Sequence, residues 1–111
     1  MGFSRACSIT EVPTDEALGV TVDGQDVALA RHGDEVLAIE DMCSHANVAL
    51  SEGDIEDCTV ECWLHGSCFD LRTGKPTHLP ATEPVAIFPV DVRDGDVYVD
   101  IQTTLNGVTP A

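Results

Sequence analysis

Two short stretches of the sequence each combine a cysteine with a histidine. Cys43 and His45 are separated by one residue. Cys62 and His65 are separated by two, and sixteen residues lie between the two pairs. A thiolate and a neutral imidazole are both good metal ligands. Sixteen residues are enough for a strand, a turn and a returning strand, so the tips of two loops can meet. The spacing therefore predicts one metal centre that both pairs share.

Several kinds of site use cysteine together with histidine. Zinc sites with two of each usually bring the cysteines as one close pair and the histidines as another, whereas here each loop brings one of each. A binuclear iron–sulfur cluster suits mixed pairs, if one iron takes both thiolates and the other both imidazoles. A catalytic cysteine–histidine pair needs only one of the two stretches. The pattern therefore favours a [2Fe–2S] cluster, with a zinc-stabilised β module as the alternative.

The composition restricts the partners that such a centre can have. The chain has 111 residues, which suits one domain. It carries 5 basic and 20 acidic residues, a formal net charge of −15. We expect no binding to nucleic acid, whose phosphates would be repelled, and none to membranes. The same charge favours docking against basic patches of other proteins, with an encounter that salt slows.

The cysteine count and the absence of export signals indicate a compartment. No apolar run follows basic residues near Met1, and no apolar run approaches membrane-spanning length. Five cysteines are an odd number, which favours metal ligation in a reducing compartment over disulfides. We therefore expect a cytoplasmic protein. Cys7, Cys58 and Cys68 lie in or beside predicted strands and are expected to be small core residues.

Short strands are predicted to position the two loops. Short apolar or alternating runs bounded by turn signals indicate strands, and no window has a sustained helical stripe. The predicted strands cover residues 3–9, 17–22, 27–30, 36–39, 55–57, 59–61, 69–71, 85–92 and 97–101. The loops between them that carry the ligands span 41–53 and 62–67. The pattern predicts an all-β protein, a small antiparallel sandwich or open barrel.

The ligand pattern and its surroundings resemble the Rieske-type [2Fe–2S] ferredoxins. The residues that carry the resemblance are Cys43-Ser44-His45, Leu50-Ser51-Glu52-Gly53, Cys62-Trp63-Leu64-His65-Gly66-Ser67, Phe69-Asp70, Thr73-Gly74, and Leu79-Pro80-Ala81 with Pro84-Val85. The resemblance implies the Rieske fold in a single domain over residues 1–102. It also implies a cluster-binding part at about 41–84, built of two ligand loops and a proline loop. A loose tail is expected at 103–111.

The resemblance further implies a role for each motif residue. Cys43 and Cys62 would hold one iron of one [2Fe–2S] cluster per chain, and the outer, more exposed iron would be held by His45 and His65. The residues expected to surround these ligands are Ser67, Phe69 and Pro80.

Within that family, the sequence resembles the low-potential members. High-potential members carry an extra cysteine in each ligand loop, and a tyrosine hydroxyl near a ligand sulfur. The matching positions here are Val48, Leu64 and Phe69. Hydrogen bonds to the sulfurs stabilise the reduced cluster, so a phenylalanine lowers the potential. We predict a potential of about −150 mV, at the low end of the Rieske range.

The expected activity is electron transfer rather than catalysis. The sequence shows no second iron site of the two-histidine, one-carboxylate kind and no glycine-rich nucleotide motif. By resemblance, the donor is a flavin-containing NAD(P)H reductase and the acceptor a non-haem iron oxygenase. Relatives also occur with iron–sulfur assembly systems, so another redox acceptor remains open. The alternative is a tightly bound small subunit of a redox enzyme such as nitrite reductase.

Overall fold

The computed structural model describes residues 2–14, 16–33, 35–43, 48–56, 58–62, 66–77, 83–108 and 110. The strands in these residues are β1 (Ser4–Ser8), β2 (Leu18–Val22), β3 (Gln25–His32), β4 (Glu35–Glu40), β5 (Ile55–Glu56), β6 (Thr59–Glu61), β7 (Cys68–Asp70), β8 (Ile87–Phe88), β9 (Val90–Arg93) and β10 (Asp96–Val99). Two short 3₁₀ helices accompany them, at Ile9–Glu11 and Leu50–Glu52. The all-β prediction is confirmed. In the described part of the chain, no helix is long and apolar enough to cross a membrane.

The described strands form three antiparallel sheets. One has the order β2-β3-β4-β8, the second β1-β10-β9 and the third, called here the small sheet, β5-β6-β7. The meander β2–β3–β4 follows the predicted one. Its first turn consists of Asp23 and Gly24, with φ angles of 47° and 86°, as expected for a two-residue hairpin loop.

Strand β3 separates two apolar cores because both of its faces are buried. Val27 and Leu29 face a core between the two larger sheets, which we call the sandwich core and to which Phe88, Val97 and Val99 also belong. Ala28 and Ala30 face the opposite side. There they join the loop-side core, whose members include Ile39, Cys43, Leu50, Val60, Cys62, Phe69 and Val85. The predicted ligand loops therefore lie on one side of the central sheet.

The small sheet contributes one apolar face to the loop-side core. Ile55, Val60 and Phe69 lie opposite one another across its three strands and pack in that core. The neighbouring positions Glu56 and Asp70 both pair with Thr59 and belong to the other face. This alternation follows from the two-residue period of a strand.

Polar residues end two strands earlier than predicted. β1 stops at Ser8, because the Ser8 side chain accepts from the Thr10 N–H while the Glu11 carboxylate accepts from the Ser8 N–H at 2.8 Å. This capping box starts the first 3₁₀ helix. β10 stops at Val99, and Asp100 accepts a hydrogen bond from the Gln102 N–H at 3.0 Å.

The predicted strand at 85–92 is divided at Pro89. Its residues form β8 and β9, which belong to different sheets. Proline has no N–H to donate to a ladder, so the chain can change sheets there. Beyond β10, the described part of the predicted loose tail hydrogen-bonds to β8 through Leu105 and Asn106. The division of the chain at residue 102 stays a prediction.

Candidate metal centre

The first predicted ligand loop is closed by a backbone hydrogen bond at its base. Strand β4 leads into Cys43, which is 3 % exposed. The Cys43 N–H donates to the Val48 carbonyl at 3.0 Å, so the two ends of the loop lie side by side. Residues 44–47 lie outside the described residues, and His45 is one of them. The structure therefore describes the thiol of this pair and leaves its imidazole as a prediction.

The second predicted loop is closed in the same way, by two bonds. Cys62 is fully buried, and its N–H donates to the Ser67 carbonyl at 2.5 Å. Its carbonyl accepts from the Gly66 N–H at 2.9 Å. Gly66 has a φ of 75°, which a residue without Cβ adopts readily. Residues 63–65 lie outside the described part, including Trp63, Leu64 and His65.

A close backbone contact brings the two loops together. The 3₁₀ helix at the end of the first loop is capped by Gly53, whose N–H donates to the Leu50 carbonyl at 3.0 Å. A Cβ on Gly53 would lie 1.6 Å from the Glu61 carbonyl oxygen, so only glycine fits there. Glu61 directly precedes Cys62. The exit of the first loop therefore lies directly against the entry to the second, which gives a physical reason for the glycine in the Leu50-Ser51-Glu52-Gly53 motif.

A carboxylate clamps the base of the first loop. Asp41 accepts from the Ser51 N–H at 2.6 Å and from the Ser51 hydroxyl at 2.7 Å. Strand β2 lies against this pair, since a Cβ on Gly19 would be 2.8 Å from the Ser51 Oγ. The clamp joins residues on both sides of Cys43 and Val48 and so restricts how far the loop can open.

The two predicted ligand cysteines have the environment of one half of a metal centre. Both are buried members of the loop-side core, and neither is in a disulfide. Each begins a loop whose ends are joined by backbone bonds. Two buried cysteines on adjacent loops suit one iron of a [2Fe–2S] cluster. No set of three or more metal-binding side chains occurs among the described residues, from which both predicted histidine ligands are missing.

The other three cysteines were not expected to be ligands. Burial raises the pKa of the Cys7 thiol, and Glu11 adds to the effect. Burial also raises the pKa of Cys58 and of Cys68, with Glu61 and Glu56 contributing at Cys68.

Their positions only partly match the prediction of small core residues. Cys7 is buried in the sandwich core, as expected. Cys58 and Cys68 are half-buried. Cys58 has a φ of 62°, because it lies in the turn between β5 and β6. Its side chain nevertheless packs against the loop-side core, so the prediction is met in part.

The residues predicted to surround the ligands are partly described. Ser67 and Phe69 are fully buried next to the second loop, and Phe69 packs in the loop-side core. Val48 is half-buried beside the first loop. Pro80 lies outside the described residues, as does the rest of 78–82. The phenylalanine side chain offers no hydrogen-bond donor to a sulfur nearby.

Comparison with known proteins identifies the class. The family model for the Rieske [2Fe-2S] domain matches residues 3–89. The chain belongs to this family, as predicted, and membership implies a [2Fe–2S] cluster. The fold and the two buried thiols are consistent with that cofactor.

Individual relatives extend the comparison. The 3-phenylpropionate/cinnamic acid dioxygenase ferredoxin subunit of Shigella flexneri serotype 5b (strain 8401) is 46 % identical over 97 residues, covering 86 % of this chain and 91 % of that protein. The ferredoxin of carbazole 1,9a-dioxygenase from Nocardioides aromaticivorans IC177 matches with a TM-score of 0.85 at 35 % identity, over 89 % of this chain and 97 % of that one. A chain in a complex of reduced oxygenase and oxidised ferredoxin in carbazole 1,9a-dioxygenase matches with a TM-score of 0.81 at 35 % identity. The match covers 87 % of this chain and 91 % of that one.

Proposed function

We propose that this chain is the ferredoxin component of an oxygenase system. It carries one electron at a time from a flavin-containing NAD(P)H reductase to a non-haem iron oxygenase. The observation that carries the proposal is the pair of buried cysteines at the bases of two adjoining loops in a Rieske-family chain. The predicted electron-transfer role is confirmed by relatives that are ferredoxin subunits over nearly their whole length. The reductase is the part that rests on resemblance alone.

The proposed centre is one [2Fe–2S] cluster per chain, held by Cys43, Cys62, His45 and His65. When bound, the cluster supplies reversible one-electron transfer. The described residues of the chain protect and position the ligand sulfurs. Burial of the two thiols excludes water from their sulfurs, and the clamped loop bases keep the two cysteines in place in both redox states.

The proposed partners dock through basic patches. The net charge of −15 attracts lysine- and arginine-rich surfaces. Glu56 on the small sheet is exposed, and Glu61 is half-buried immediately before Cys62. The complex of oxygenase and ferredoxin among the structural matches supports an oxygenase as the acceptor. The five cysteines, none of which is in a disulfide, support the cytoplasmic location, because thiols persist in a reducing compartment.

The ligand set is tested by analysis of the protein purified without oxygen. We expect about two irons and two sulfides per chain, and a Rieske-type electron paramagnetic resonance signal after reduction. Cys62→Ser and His45→Ala should each abolish the cluster spectrum. Cys7→Ser is the matched control, because Cys7 lies in the other core, and its spectrum should be unchanged. A full cluster spectrum in either ligand variant would contradict the assignment.

The carrier role is tested by rapid mixing. The reduced protein should reoxidise in a single phase on mixing with an oxygenase of this class, and a flavin NAD(P)H reductase should reduce it again. Purification as a free chain is expected. Obligate co-purification with a large redox subunit would contradict a dissociable carrier and favour the alternative of a bound small subunit.

A further inference from the structure

The segment after β10 occupies the open edge of β8. This strand lies at the edge of the four-stranded sheet and pairs with β4. Just before β8, the Ala86 carbonyl accepts a hydrogen bond from the Glu40 N–H of β4 at 2.9 Å. Ile87 faces the other edge. Its carbonyl accepts from the Leu105 N–H at 2.9 Å, and its N–H donates to the Asn106 Oδ1 at 3.3 Å. A side-chain amide thus replaces the peptide group that a neighbouring strand would supply.

The same side chain also joins β8 to the turn after β7. The Asn106 Nδ2 donates to the Val85 carbonyl at 2.8 Å and to the Thr73 carbonyl at 3.0 Å. The contact is close, because a Cβ on Gly74 would lie 2.8 Å from Nδ2 and 2.2 Å from the Val85 oxygen. Gly74 has a φ of 75°, and its carbonyl accepts from the Val85 N–H at 2.9 Å. Asn106 therefore uses both amide hydrogens and its oxygen on backbone groups of two separate segments.

Both segments contribute to the loop-side core, in which the two predicted ligand cysteines are buried. Val85 is fully buried in the loop-side core, to which Cys43 and Cys62 belong. Thr73 follows β7, whose Phe69 packs in the same core. The Asn106 amide is therefore one link between the segments that bear Phe69 and Val85. The bond from the Val85 N–H to the Gly74 carbonyl is another.

We propose that Asn106 is a positioning residue of the metal centre. Its amide holds Val85 and the Thr73–Gly74 turn together, and this keeps closed the core in which both cysteines are buried. The inference rests on the proposed ligand set. Loss of the amide lets these segments separate, so water reaches the sulfurs. A more hydrated centre releases its cluster faster, and its potential rises because solvent stabilises the more negative reduced state.

The test compares cluster-loaded variants with the wild type. Asn106→Ala removes these three contacts, together with a longer one in which the Val108 N–H donates to Oδ1 at 3.4 Å. Asn106→Asp keeps an acceptor for the Ile87 N–H but places an oxygen against the Thr73 and Val85 carbonyls. We expect both to lose the cluster to a chelator about ten-fold faster, the effect of one to two hydrogen bonds. We also expect a higher midpoint potential and faster amide exchange at Val85.

Two controls separate positioning from general stability. Gln102→Ala removes another amide from the same segment, and should match the wild type in all three measurements. Val97→Ala opens a cavity in the sandwich core, so it should lower the melting temperature but leave the potential unchanged. If Asn106→Ala does not fold, Asn106→Ser, which keeps one donor, takes its place.

The outcomes are distinct. An unchanged potential and unchanged chelator kinetics in the folded Asn106 variants would overturn the inference and leave the ligand set intact. A potential that shifts equally in Val97→Ala would also overturn it, because the effect would then be general. A wild-type chain that binds no [2Fe–2S] cluster would overturn the proposed function itself, and the inference with it.

Discussion

At the scale of single residues, the two ligand loops depend on the absence of one side chain. Gly53 has an ordinary backbone conformation, with a φ of −92°, so glycine is not needed there for its torsional freedom. It is needed because the Glu61 carbonyl occupies the space of a Cβ. The requirement is therefore steric. The carbonyl that imposes it belongs to Glu61, which directly precedes the predicted ligand Cys62.

Gly53→Ala is therefore expected to push the two loops apart. The clash is with backbone, which no rotamer change relieves, so we expect a loss of more than about 2 kcal/mol in the free energy of unfolding. Iron content per chain should fall as well. The control is Gly24→Ala, with open space around its Cβ but a φ of 86°. It should cost about 1–2 kcal/mol from strain alone and keep its full iron content.

Cys7 gives the protein a specific sensitivity to alkaline pH. Burial, with Glu11 adding to it, raises the pKa of this thiol in the folded state. The folded chain thus holds the proton more tightly than the unfolded chain, whose thiol titrates at about pH 8.5. The stabilisation is complete below that pH and is lost as pH rises through the folded-state pKa.

Cys7→Ala should consequently flatten this alkaline decline. At neutral pH the variant should be less stable by about 1 kcal/mol, from lost packing. Melting followed by circular dichroism between about pH 8 and 10.5 should show the difference shrinking as wild-type Cys7 ionises. A difference that is constant over this range would mean that another group causes the alkaline decline.

At this scale, residue type and spacing predicted more than residue contacts did. Cys43 and Cys62 were identified from their positions beside histidines, and the structure places both thiols in one core. Nothing in the local sequence indicated that Cys58 adopts a positive φ or that Gly53 touches Glu61. These properties arise from the way distant segments pack, which a local pattern does not encode.

At the scale of elements, the first loop is held by side chains from its two ends. Asp41 directly follows β4 on one side, and Ser51 lies in the 3₁₀ helix Leu50–Glu52 on the other. The Ser51 hydroxyl donates to a carboxylate in a half-buried position, where hydrogen bonds to charged groups are comparatively strong.

Ser51→Ala is expected to loosen this loop without unfolding the sheet. We predict a loss of about 1–2 kcal/mol in stability and faster cluster release to a chelator. The matched control is Ser4→Ala, which removes an exposed hydroxyl bonded to Asp23 and should change stability by less than about 0.5 kcal/mol. Equal effects of the two substitutions on cluster release would show that the clamp does not restrain the loop.

Strand order was harder to predict than strand existence. Pro89 was expected to interrupt the strand at 85–92, and the structure has β8 and β9 on either side of it. The sequence contains no local signal that the two belong to different sheets, because sheet membership depends on partners far away in the chain. The contacts of Asn106 were equally hidden, since asparagine in a polar segment is typical of exposed turns.

At the scale of the whole molecule, the dominant feature is charge. The excess of 15 negative charges produces a field that extends beyond any single contact. Salt screens such a field, with a Debye length of about 10 Å at 0.1 M.

Electron transfer to a basic partner should therefore slow markedly with salt. Between about 0.02 and 0.5 M salt, we expect the second-order rate constant to fall at least about ten-fold. Glu56→Gln should weaken this salt dependence more than Asp94→Asn. Glu56 lies on the small sheet, whose strands β6 and β7 flank the second ligand loop, whereas Asp94 lies in the turn between β9 and β10. Stopped-flow mixing measures both. Identical salt slopes for the two variants would argue against docking beside the small sheet.

The burial of β3 on both faces has a consequence for how the protein is made. Both predicted ligand cysteines belong to the loop-side core and neither to the sandwich core. We therefore expect metal removal to loosen the loop-side core while the sandwich core stays folded. Cofactor loading would then be a late, local step of maturation, taken by a chain whose larger part has already reached its final form.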